Sequence, residues 1–181
     1  LRTQIKDGAV TSERVSLIQI KPEVAVPFAL LPLDDKLSER IHTALDEPAG
    51  HGPYVPALKK LVELATMCQK HMTDHAKTNV LFMSDGRPSD QVDERMLPKL
   101  ISAELVALHK VCPRLESFQL LGFGDADEDT LKYMKEAVPD NLATYTLSSG
   151  RDGITSLEQS VSTFASSVGV SRISSVAAFD G

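Results

Sequence analysis

The chain has too little cysteine to be a disulfide scaffold or a thiolate metal site. Its 181 residues include two, Cys68 and Cys112, far apart in sequence and in no metal-ligand spacing. Both fall in segments of amphipathic helical spacing, the pattern of reduced core thiols in a cytosolic protein. Clustered basic charge is also missing: the formal net charge is -6 and the two signs are interspersed. That excludes the cationic face that nucleic acid requires and a basic membrane-surface helix. No apolar run approaches the roughly 18 residues of a membrane span, and the polar opening LRTQIKDGA has no signal-peptide core. There is no Gly-x-Gly-x-x-Gly after the first strand, no Walker loop and no Gly-x-Ser-x-Gly elbow. The expectation from these absences is a soluble, cytoplasmic protein that binds neither nucleic acid nor membrane and is not an enzyme.

What is present is an alternation of periodicities. Val15–Ile20 and Val24–Leu30 read as strands joined by a hairpin at Lys21-Pro22-Glu23, with Pro27 confining the second to an edge. Asp34 or Asp35 can cap a helix carrying Leu37, Ile41 and Leu45, which Pro48 and Gly50 end. From Ala57 to Met72 apolar residues recur at helical spacing, with Pro56 tolerated in the first turn. Asn79–Ser84 is a strand, about 93–111 a helix stopped before Pro113, and Ser117–Gly124 a strand. DADEDTLKYMKEAV is a helix with acids in its first turn, where the macrodipole favours them. Leu142–Leu147 is a strand and Ser156–Val168 a final helix. Residues 1–168 form one domain and 169–181 a Ser- and Ala-rich tail. The order β-β-α-α-β-α-β-α-β-α predicts an α/β domain: a Rossmann-like, doubly wound, mostly parallel sheet flanked by helices.

In such a sheet ligands bind beyond the carboxyl ends of the strands. Three strands run into polar turns there: SDGRPSD after Met83, GFGDADED after Leu121 and LSSGRDG after Tyr145. Asp85, at a strand tip and turned by Gly86, can hold a hard cation or a ligand hydroxyl; it can equally cap its own turn.

VLFMSDGRPSD, the Gly-rich GHGPYVPAL before the long helix, and LESFQLLGFGDADEDTLKYMKEA together resemble the von Willebrand factor A domain family over about residues 11–168. That family carries a metal-ion-dependent adhesion site. The resemblance implies a protein-binding module whose Mg²⁺ is held by three inputs: an Asp-x-Ser-x-Ser motif after the first strand, a Thr before the third helix, and the Asp matched by Asp85. A partner's carboxylate completes the octahedron. Here no Asp-x-Ser-x-Ser precedes Val15, and Gly52 or Pro53 stands where the Thr belongs. The chain is therefore expected to start past the first strand, leaving the fold incomplete at its N-terminus and the strands on either side unpaired, unless Ile173–Phe179 takes that place. The resemblance assigns Asp85 to metal, and His51, Gly52, Pro53, Gly86 and Asp125 to the partner-binding rim. The partner is a protein, engaged through an acidic side chain. A small-molecule or nucleotide-binding α/β domain using the same crevice is the alternative.

Other signals read more simply. Asp125-x-Asp127-x-Asp129 with Glu136 mimics a calcium loop, but Thr130 occupies the position that needs Gly. A helix start explains the same acids. His71 and His75 lack the accompanying Glu of a metalloprotease helix. Arg87 replaces the second Asp that an aspartyl-phosphate enzyme would want. Ser148, Ser149 and Arg151 could hold an anion, though a polar loop accounts for them.

Overall fold

The computed structural model describes residues 14–32, 34, 36–44, 52–71, 77–84, 87–123, 126–139 and 142–148. Within them the elements are β1 (Arg14–Gln19), β2 (Ala25–Pro32), α1 (Leu37–Ala44), α2 (Tyr54–His71), β3 (Thr78–Ser84), α3 (Leu97–Val111), β4 (Leu115–Phe123), α4 (Glu128–Ala137) and β5 (Ala143–Ser148). The expected order is reproduced from β1 to β5. The predicted helix Ser156–Val168, the strand candidate Ile173–Phe179 and the 169–181 tail lie outside the described residues.

The main layer is a three-stranded sheet, β3-β4-β5, parallel throughout. Its register aligns Val80 with Phe118 and Ala143, and Phe82 with Leu120 and Tyr145. Alternation puts these six on one face. All six pack in one cluster with Tyr54 and Leu58 of α2, Ile101, Leu105 and Leu108 of α3, and Leu131 and Met134 of α4. Phe118, Ile101, Leu131 and Met134 are wholly buried. Each such side chain contributes about 1.5–3 kcal/mol.

The three helices therefore cover the same face. Two successive right-handed crossovers that step in one direction across a sheet must do this. The opposite face carries Asn79, Leu81 and Met83, then Ser117, Gln119 and Leu121, then Thr144 and Thr146. It is more polar than a sheet apolar on both sides, as expected from the sequence, would be. Ser117 Oγ donates to Asn79 Oδ1 across the strands at 2.7 Å, and Thr144 and Thr146 are exposed.

β1 and β2 form a separate antiparallel ribbon. Its register shifts twice, and Leu30 takes a left-handed φ of 52° at the first shift. The Leu30 amide donates to Ser16 Oγ at 3.0 Å, which gives that displaced group a partner. Pro27 is exposed and falls at the second shift, where no ladder hydrogen bond is lost.

Helix starts follow local chemistry. Asp34 Oδ1 accepts from the Lys36 amide at 3.1 Å just before α1, and its other oxygen pairs with Arg40 of the helix at 3.1 Å; the other candidate cap, Asp35, lies outside the described residues. α3 begins at Leu97, four residues later than the sequence suggests. The ring of Pro98 would meet the Glu94 carbonyl if the helix started earlier. Residues 93–96 form a turn instead, with Asp93 accepting from the Arg95 amide at 2.8 Å.

α2 packs on β1 and β2 as well as on α3. Among the described residues no ladder joins β1 to β3, so each has one edge without a strand partner. The end of β1 and the tip of β3 both meet the start of α2, through Gly52 and Tyr54. Unpaired edges invite association. Light scattering after size exclusion should show mass rising with concentration over the micromolar range; a constant monomer would mean that the edges are covered.

The Tyr145 hydroxyl is buried and has no hydrogen-bond partner among the described residues. Burial pushes its pKa up. Removing the hydroxyl removes an uncompensated desolvation penalty. Tyr145→Phe should therefore melt no lower than the wild type, with a gain of up to about 1 kcal/mol; a clear loss in calorimetry would indicate a partner for the hydroxyl.

Candidate functional site

Parallel register brings the carboxyl ends of the three strands to one edge. Ser84 aligns with Gly122, and Phe123 with Ser148. α2 begins at this edge, and what fixes it there is a set of contacts between two segments distant in sequence.

The first turn of α2 contains no acidic residue, and Gly52-Pro53 before it offers no side-chain acceptor. Its exposed amides are met instead from the loop after β3. Asp90 Oδ2 accepts from the Tyr54 amide at 2.7 Å, and Oδ1 from the Val55 amide at 3.0 Å. One carboxylate thus caps a helix that starts 36 positions earlier, and its charge also suits the positive end of the helix dipole. The Ser89 amide donates to the Gly52 carbonyl at 3.2 Å. The hydroxyls of Tyr54 and Ser84 lie 2.5 Å apart, and either can donate. The Tyr54 ring meets Phe82 edge-on, with centroids 5.0 Å apart. The tip of β3 and the start of α2 are joined as one unit.

Gly52 ties that unit to β1. It is buried, and a Cβ there would lie 2.5 Å from the Ile20 carbonyl carbon, 2.6 Å from the Lys21 nitrogen and 2.8 Å from Ile20 Cγ2. Two of these neighbours are backbone, so no side chain fits without moving the end of β1. The hydroxyl-bearing Thr that the family resemblance would put here is sterically excluded. Pro53 is half-buried and also lacks a hydroxyl. The described residues supply no second oxygen ligand for Mg²⁺ from this loop. Among them no group of three His, Cys, Asp or Glu side chains comes together to hold a metal.

Of the rim residues named from the sequence, Gly52 meets the β3 exit loop through its carbonyl, and Pro53 sits beside it before α2. His51, Asp85, Gly86 and Asp125 lie outside the described residues, as do His75, Ser149 and Arg151; Ser84 and Arg87 bracket the Asp-Gly pair. Sequence reading missed Asp90. The signal for it was a strong helix with no capping residue of its own, facing a loop that carries carboxylates at the same sheet edge.

The calcium-loop likeness dissolves into helix capping. Asp127 accepts from the Thr130 amide at 3.3 Å and from its hydroxyl at 2.9 Å. The residue that replaces the required Gly is thus a capping partner.

Cys112 is buried at the end of α3, with Thr78 Oγ1 at 3.8 Å from its sulfur, and Cys68 is half-buried on α2. Burial pushes both thiols up in pKa, which leaves little thiolate near neutrality. No helix among the described residues is long and apolar enough to cross a membrane. No family model matches the chain, and no curated protein matches it.

Two outcomes check this geometry. Asp90→Ala should cost about 1–3 kcal/mol, with Asp90→Asn recovering part through its remaining carbonyl oxygen. That is a melting shift of roughly 2–4 °C per kcal/mol for a chain of this size. Gly52→Ala should cost at least as much, about 1–3 kcal/mol from overpacking against backbone. A variant at either position that melts like the wild type would contradict the contacts described.

Proposed function

We propose that the chain is a non-enzymatic protein-interaction module of von Willebrand factor A type, Rossmann-like in its layering. It takes its partner at the carboxyl edge of the sheet, close to Asp85. Its metal-ion-dependent adhesion site is incomplete. One carboxylate cannot repay the dehydration of Mg²⁺, and the position of the expected hydroxyl ligand is closed by backbone at Gly52. Recognition in this reading rests on the rim itself: Asp85 and Gly86 after β3, His51 to Pro53 before α2, and Asp125 after β4. The partner is engaged through an acidic side chain.

The observation that carries the reading is the doubly anchored loop pair. The exit of β3 and the entry to α2 are held by Asp90, Ser89 and the Tyr54–Ser84 hydroxyls. Rigid presentation lowers the ordering cost of binding. The same contacts fill the start of α2 with the protein's own carboxylate, which disfavours a phosphate at that helix end.

Selection of peptides from a displayed library against the immobilised chain tests the proposal. Selected peptides should lose about tenfold or more in affinity for Asp85→Ala, measured by fluorescence anisotropy without added metal. Unchanged affinity would overturn the role of Asp85. Saturable binding of a nucleotide without metal would favour a small-molecule site in the same crevice.

A further inference from the structure

We draw no further inference here: the strongest candidate, the open strand position between the unpartnered edges of β1 and β3 that α2 spans, carries nothing because no described residue shows what covers it.

Discussion

A single carboxylate holds the carboxyl edge of this molecule together. A helix begins with several amides that have no partner inside the helix, and leaving them unmet in a part-buried position is costly. α2 has nothing of its own to offer them. Asp90 meets two at once, from a loop that reaches the same edge through β3. The consequence goes beyond capping. Because the acceptor is distant in sequence, satisfying the helix also fixes the loop. The position of the β3 exit becomes a property of the fold rather than of the loop's own sequence. Gly52 extends the same constraint to the end of β1 by allowing backbone to lie against backbone.

The sheet explains why we propose this edge as the place for recognition. Three parallel strands with helices on one face bury Phe118, Leu120 and Ile101 completely or nearly so, and their register brings their carboxyl ends side by side. The β1-β2 ribbon joins the layer through α2 rather than through hydrogen bonds to β3. Among the described residues, the ribbon is held to the layer by helix packing and loop contacts, and β3 to β5 by a continuous ladder. Loss of the α2 start would be felt most where the ladder is absent.

Much of this was legible in the sequence. The periodicity of Leu58, Leu61, Leu64 and Ala65 marks α2, and the short apolar runs at Val80–Phe82 and Phe118–Leu121 mark β3 and β4, because those patterns report burial directly. The start of α3 was misplaced by four residues, since the reading from about residue 93 did not weigh the ring of Pro98. The polar far face of β4 and β5 was hidden because Ser117, Gln119, Thr144 and Thr146 are scattered among apolar neighbours and become a row only once the register is known. The Asp-Gly turn drew attention to Asp85, whereas the contact that organises the edge belongs to Asp90, five residues on. No local rule finds it: the pairing of Asp90 with Tyr54 and Val55 depends on how β3 and α2 lie in space. Gly52 stood out in the sequence as the residue in place of the family's Thr and as part of the rim, and only the nearness of Ile20 and Lys21 shows why it must be glycine.

The most direct test is native-state hydrogen exchange at the amides of Tyr54 and Val55. First-turn amides capped only by water exchange quickly, while amides held by a part-buried carboxylate that is itself fixed in the fold open only with the surrounding structure. The account predicts that both are protected to nearly the level of the mid-helix amides around Leu58, and that Asp90→Ala exposes these two selectively while the β4 amides stay slow. Fast exchange at Tyr54 and Val55 in the unmodified protein would contradict it.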